Sequence, residues 1–140
     1  MASFNKFNCF VADVANKVHN LGSDTLKIML TNSAPSASNT IAANITEISA
    51  GNGYTAGGLT LTVTASSQTG GVYKLVANDP SITASGAVGP FQYAVLYNDT
   101  PTSPVDPLIG YWDRGSALAL VNGDTFTVDL DQTNGILQLQ

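Results

Sequence analysis

The chain has 140 residues, which is long enough to bury one hydrophobic core and too short for two ordinary domains. Five basic and ten acidic residues give a net charge of −5, and no basic cluster is present to neutralise phosphates, so nucleic-acid binding is not expected. Only 11% of residues are charged, against a usual ~25%. The surface is therefore expected to consist mainly of neutral hydroxyls and amides.

The N-terminus lacks a signal-peptide pattern, and no apolar run approaches the roughly 20 residues of a membrane span. Cys9 is the only cysteine, so no internal disulfide can form. We therefore expect a protein that is made and kept in the cytoplasm, with no membrane partner.

Apolar residues near the N-terminus recur at helical spacing. Phe4, Phe7, Val11, Val14 and Val18 would line one face of a helix over residues 3–19. Ser3 could cap its first turn, and Gly22 could end it in a left-handed conformation. The sequence predicts one amphipathic helix here.

From residue 24 onward the apolar pattern changes to the period of two that is typical of strands. Leu26, Ile28 and Leu30 share one face of a first strand, and a long surface loop follows at 32–44. Further strands are predicted in chain order over 59–66, 72–77, 81–85, 91–98, 108–112, 117–121, 125–130 and 136–139.

Two of these segments carry additional signals. Residues 91–98 are apolar on both phases, so we place them in the middle of a sheet with both faces covered. Asn122-Gly123 predicts a tight hairpin between its flanking strands. Strands separated by turns, without intervening helices, predict a single mainly β domain: an antiparallel sandwich of about eight strands over 24–140, preceded by the helix.

The segment "GNGYTAGG" at 51–58 invites a nucleotide-binding interpretation. Gly51, Gly53 and Ala56 fit a dinucleotide fingerprint, but the next segment alternates like a strand, whereas the fingerprint requires a helix whose N-terminus holds the phosphates. We therefore predict a structural loop that leads into a strand. Tyr54 and Asn52 could contact a partner from this loop.

No other residues form a clear catalytic or metal site. His19, the only histidine, is predicted to be a capping or solvated residue, and Cys9 a small packing residue. Asp129 and Asp131 would face the same side of a strand, which leaves an oxygen-ligand ion site open against the simpler interpretation of strand-end aspartates. We expect no enzyme activity, no cofactor and no bound metal.

Aromatic residues and a Pro-rich segment suggest binding instead. Tyr97, Tyr111 and Trp112 could form a sugar-stacking platform or serve as core and partner-contact residues. The segment "NDTPTSPVDP" at 98–107 must be a loop because its prolines cannot sustain a ladder. Thr100, Pro101, Pro104 and Trp112 are therefore interface candidates, together with Asn52 and Tyr54.

Five segments carry a resemblance to a known family: "NKFNCFVADVANKVHNLGSDTLKIMLTNSAP", "ITEISAGNGYTAGG", "GPFQYAVLYNDT", "PLIGYWDRG" and "TFTVDLDQTNGILQ". Together they resemble small head proteins of tailed bacteriophages, the capsid cement or decoration proteins. The resemblance implies a jelly-roll fold, dimerisation, and attachment to the major capsid protein on the outside of an icosahedral head. It supplies no catalytic residues. A tail or head-fibre component and a carbohydrate-binding module remain the alternatives.

Overall fold

The computed structural model describes residues 2–140. It is mainly β, with antiparallel strands and one α-helix, as the strand pattern predicts. The helix α1 spans Cys9–Ala15. The strands are β1 Asn5–Lys6, β2 Leu26–Thr31, β3 Leu59–Thr60, β4 Val63–Thr69, β5 Val72–Ala77, β6 Ser81–Thr83, β7 Val88–Asn98, β8 Leu108–Leu120, β9 Thr125–Thr127 and β10 Leu137–Leu139.

The strands form three sheets. The largest has five strands in the order β1-β8-β7-β2-β3, and the smaller ones have the orders β10-β5-β4 and β6-β9. One face of the large sheet packs against both smaller sheets and buries the main core, which includes Leu30, Leu75, Phe91 and Leu137. This sandwich arrangement follows from the alternation of apolar and polar residues along β2 and β5.

The opposite face of the large sheet carries a second core. It contains Phe7, Met29, Ile45, Val95 and Leu108, and the 3₁₀ turn Ala42–Asn44 lies next to it. Alternate residues of β7 enter the two cores, Leu96 the main one and Val95 the second. The prediction that residues 91–98 form a central strand with both faces covered is therefore confirmed.

The predicted helix over 3–19 is wrong in its extent. Asn5 and Lys6 pair with Tyr111 and Gly110 at the edge of β8, so the first residues form a strand, and the helix has seven residues. Asn8, not Ser3, precedes its first turn. It ends at Ala15, and Lys17, two residues later, adopts the left-handed conformation expected of Gly22.

The predicted apolar stripe of this helix also differs from the observed one. Phe4 and Phe7 pack against β8 residues from the extended segment, and Val11 is 58% exposed. Phe10 is the helix residue that enters the main core. Phe4 and Phe7 contact β8 from extended backbone, whereas Phe10, three residues later, contacts the main core from the helix. Helical spacing alone therefore does not show which of these residues are helical.

Two other strand predictions change. The run over 59–66 is interrupted between β3 and β4, whereas 108–112 and 117–121 belong to one long strand, β8. Asn122-Gly123 does form a turn, since the Asp124 N–H donates to the Val121 carbonyl at 3.0 Å, but β9 pairs with β6 and not with β8. The chain crosses to the other layer at this turn, so the predicted hairpin is wrong.

Within residues 2–140, no helix is long and apolar enough to cross a membrane.

Candidate interaction surface at the Pro-rich end

The loop of residues 99–107 joins β7 to β8 and, with the residues that hold it, forms what we call the Pro-rich end. On one side it is tied to the chain just before β2: the Thr25 N–H donates to the Thr100 hydroxyl at 2.8 Å, and the Asp99 N–H donates to the Thr25 carbonyl at 2.8 Å. The Thr100 N–H also donates to the Asn98 side-chain oxygen at 3.1 Å. Prolines prevent a ladder within the loop, so these bonds replace it.

The other side of the loop is tied to the segment around the 3₁₀ turn. The Ala42 N–H donates to the Asp106 carbonyl at 2.9 Å, and Ile41 forms an isolated bridge with Pro107. A second bridge, between Thr102 and Val105, closes the tip of the loop. The Val105 side chain is 51% exposed at this tip. The loop is therefore an ordered structure that presents an apolar residue to solvent.

Charged and phenolic groups cluster at the base of the Pro-rich end. Lys27 forms an ion pair with Asp99 at 3.2 Å. Burial raises the pKa of the Asp106 carboxyl, and the neighbouring Asp99 raises it further. Burial also raises the pKa of Tyr97, whose hydroxyl donates to the Gly57 carbonyl. Most charge is thus paired or shielded at the base, which leaves the tip neutral.

The Gly-rich loop at 51–58 is structural, as predicted. Gly51 and Tyr54 exchange backbone hydrogen bonds of 2.7 and 3.1 Å around a tight turn, and β3, not a helix, begins after Gly58. The loop therefore has no helix N-terminus to hold a phosphate. The Glu47 carboxylate instead accepts the Gly57 N–H at 2.7 Å and fixes the end of the loop.

Tyr54 is not a surface contact residue, which corrects the prediction from its position in a loop. It is 2% exposed and lies in the main core. Its hydroxyl accepts the Leu30 N–H at 3.0 Å, so the side chain completes the hydrogen bonding of β2 where no neighbouring strand does. Burial raises the pKa of Tyr54, so the phenol stays protonated.

Asn52 is exposed, but the structure places it away from the Pro-rich end. Its side-chain amide donates to the Ala87 carbonyl at 2.8 Å, next to the start of β7. The Pro-rich loop leaves the other end of this strand, about 30 Å away at the usual rise per residue. Of the predicted contact residues, Thr100, Pro101 and Pro104 are therefore brought together, whereas Asn52 and Tyr54 are not.

Trp112 lies in the middle of β8, away from both ends. It packs on Phe4 with 5.3 Å between ring centroids, on the main-core side, whereas Tyr111 packs on Phe7 on the second-core side. Tyr97 is buried. The three rings do not form a common platform, so the geometric basis for sugar stacking is absent. Trp112 instead lines an apolar cavity of about 130 Å³ with Phe91, Phe126 and Arg114.

Asp129 and Asp131, considered for ion binding from one face of a strand, both lie outside the strands, because β9 ends at Thr127. Asp131 accepts the backbone N–H groups of Thr133 and Asn134 at 2.8 and 2.7 Å, and the Asn134 bonds lower its pKa. It is a turn residue, as the simpler interpretation predicts. Within residues 2–140, no group of three or more His, Cys, Asp or Glu side chains is placed to hold a metal ion.

His19 and Cys9 are held in packed surroundings. The His19 Nδ1 lies 3.0 Å from the Asn98 side-chain nitrogen, and its ring packs on Phe10, so it is a half-buried packing residue and not a helix cap. The Cys9 thiol lies 3.5 Å from the Leu108 carbonyl oxygen, and burial raises its pKa. A protonated thiol of this kind is a packing group and a weak nucleophile.

Two exposed residues are absent from the predicted contact residues. Val105 lies inside the predicted Pro-rich loop, of which only Thr100, Pro101 and Pro104 were named as candidates. Arg114 lies where β8 bulges between its pairings of Asp113 with Tyr93 and Leu118 with Phe91, and its guanidinium donates to Ser116. Gly115, flanked by charged and polar residues inside an apolar run, was the available signal for this bulge.

Comparison with known proteins adds no relative: neither known protein families, nor curated proteins, nor solved structures gave a match to this chain.

Proposed function

We propose that this chain is a virion structural protein: a capsid decoration protein that binds the outside of an icosahedral phage head and stabilises it. The proposal starts from the sequence resemblance, which spans the chain from the helix to the last strand. The structural observation that supports it best is the Pro-rich end, an ordered loop with a neutral, partly apolar tip.

The order of this loop matters for binding. Hydrogen bonds on both sides hold it before any partner arrives, so little conformational entropy is lost on contact. An exposed apolar residue such as Val105, surrounded by prolines and hydroxyls, has the composition of an interface centre with a polar rim. These features suit a small contact with a protein surface.

Small contacts are sufficient on a repetitive lattice. If the protein binds only the assembled head, each occupied site stabilises that state by about 2.7 kcal/mol at a free concentration of 100 times Kd. Binding through more than one contact raises the apparent affinity further, because the second contact is intramolecular. The proposed partner is the major capsid protein, and the proposed location is the outer surface of the virion.

The test uses heads purified from a phage that lacks the gene. We expect them to release DNA at a lower temperature than wild-type heads, and added purified protein to cosediment with them and restore their heat resistance. Absence of the protein from wild-type virions, together with unchanged heat resistance of the gene-deleted heads, would overturn the proposal. Electron microscopy of labelled protein on intact particles distinguishes the head from the tail or fibre.

A further inference from the structure

The strand β4 is an open edge of unusual length. It spans Val63–Thr69, pairs with β5 alone, and all of its residues except the partly buried Val63 are exposed. The edge strands of the other sheets have only two or three residues. Exposed edges are commonly protected by charge, proline or short length, and β4 has neither a charged residue nor a proline.

The direction of the free backbone groups follows from the hairpin geometry. Gly70 and Gly71 form a two-residue turn with positive φ at both positions, so Thr69 and Val72 exchange hydrogen bonds across it. Hydrogen-bonded positions alternate in an antiparallel pair, which directs the backbone groups of Ser67 and Ala65 toward β5. The N–H and C=O groups of Ser66 and Gln68 therefore point outward, whereas the bulge between Val63 and Ala65 interrupts the alternation at Thr64.

We propose that β4 pairs antiparallel with β4 of a second copy of this chain, about a two-fold axis at Ser67. Ser66 would lie opposite Gln68 of the other chain, and Ser67 opposite its own copy. Each outward N–H then has an outward carbonyl as its acceptor, and the two three-stranded sheets become one continuous sheet. This proposal rests on the geometry of β4 and does not depend on head binding.

The absence of charge on β4 favours a second copy as the occupant. A two-fold axis places each side chain near its own equivalent, and like charges directly opposite each other destabilise a strand pair. Here the opposed residues are neutral hydroxyls and amides. The neighbouring strand β5 carries one charge, Lys74 opposite Ser67, and its symmetry mate would lie about three strand spacings away, roughly 14 Å, beyond the Debye length at physiological salt.

A disulfide test fixes the register. In a background with Cys9→Ser, the variant Ser67→Cys places its thiol opposite that of the other chain, at the roughly 4.5 Å Cα separation of a non-hydrogen-bonded pair, which a disulfide accepts. We expect a covalent dimer under mild oxidation. The variants Ala65→Cys and Thr69→Cys are matched controls, because the two copies of each thiol lie about 13 Å apart along the strand and cannot react.

A charge-swap test separates lost pairing from damaged folding. Ser67→Lys and Ser67→Asp each place like charges across the axis, so each variant alone should dissociate at least tenfold more readily than wild type by analytical ultracentrifugation. Mixing the two should restore association. A wild-type chain that stays monomeric, a dimer that neither variant weakens, or cross-linking of either control equal to that of Ser67→Cys would each overturn the proposal.

Discussion

At the scale of single residues, close backbone approach explains why some positions accept only glycine. Gly58 has φ of +92°, and an added Cβ would overlap the Ile28 carbonyl oxygen, because β3 begins there beside β2. Gly115 has almost the same φ, +93°, but no atom lies within 4 Å of its added Cβ. The two glycines therefore share backbone strain and differ in available space.

This contrast gives a matched pair of substitutions. Gly115→Ala should lower the free energy of unfolding by about 1–2 kcal/mol, from left-handed strain alone. Gly58→Ala should lower it by a further ~1–3 kcal/mol, because the backbone of β2 must move. Urea unfolding of both variants measures the difference. Equal decreases in the free energy of unfolding would show that the backbone of β2 can move without loss of stability.

His19 should make stability depend on pH. The Asn98 amide nitrogen donates to both His19 Nδ1 and the Asp24 carboxylate, at 3.0 and 2.7 Å, so Nδ1 must accept, and the neutral ring carries its hydrogen on the buried Nε2. Burial lowers the His19 pKa below its usual value of 6.5, although the nearby Asp13 and Asp24 carboxylates oppose this shift. Protonation would turn Nδ1 into a second donor facing the amide.

The sign of the pH effect follows from the lowered pKa. The stabilisation by His19 is complete above pH 6.5 and is lost as pH falls from there through the folded-state pKa, by at most about 1.4 kcal/mol per pH unit. The free energy of unfolding of wild type should therefore fall more steeply between about pH 7 and pH 5 than that of His19→Gln. A wild type that gains stability relative to this variant on acidification would show that the folded ring is charged.

At the scale of elements, predictability depended on whether the deciding partner was local. The strands β2, β5 and β7 were predicted well because their own side-chain patterns match the faces they bury. The first 15 residues were not, since the edge of β8 competes with the helix for Asn5 and Lys6, and a distant strand leaves no mark in local spacing. The turn at Asn122-Gly123 was predictable, but the strand paired with β9 was not, because both layers offered a neighbour.

The candidate site shows the same division. The prolines of 99–107 predicted a loop, and the structure has one, but the order of that loop comes from Thr25 and Ala42, which are far away in sequence. The prediction for Tyr54 is wrong for the same reason. Its loop position is visible in the sequence, whereas the hydrogen bond from the Leu30 N–H that holds its hydroxyl in the core is not.

The contrast between β7 and β4 gives an element-scale prediction. β7 is paired on both sides and buried on both faces, whereas β4 has one neighbour and exposed side chains. Amide hydrogen exchange in dilute solution should be slowest in Met29 and Val95, which lie opposite each other, and fast in Ser66 and Gln68. Slow exchange of these two amides at a concentration where the chain is monomeric would contradict the outward direction assigned to them.

At the scale of the whole molecule, the length of β8 separates two ends that a partner could contact. The Pro-rich loop precedes Leu108, and the Asn122-Gly123 turn follows Leu120, so they lie at opposite ends of the strand. Each end presents one exposed valine, Val105 at 51% and Val121 at 62%. Because each end carries the same kind of exposed residue, matched substitutions can assign the proposed contact with the head to one end.

Val105→Asp and Val121→Asp should both leave the free energy of unfolding within about 0.5 kcal/mol of wild type, because both side chains are exposed. Val105→Asp should weaken cosedimentation with gene-deleted heads by roughly 30-fold or more, since a charge in the centre of an apolar contact removes a binding hot spot of about 2 kcal/mol. Val121→Asp should bind as wild type does. The reverse result would place the contact at the Asn122-Gly123 turn, and normal binding by both variants would mean that neither end of β8 holds the head.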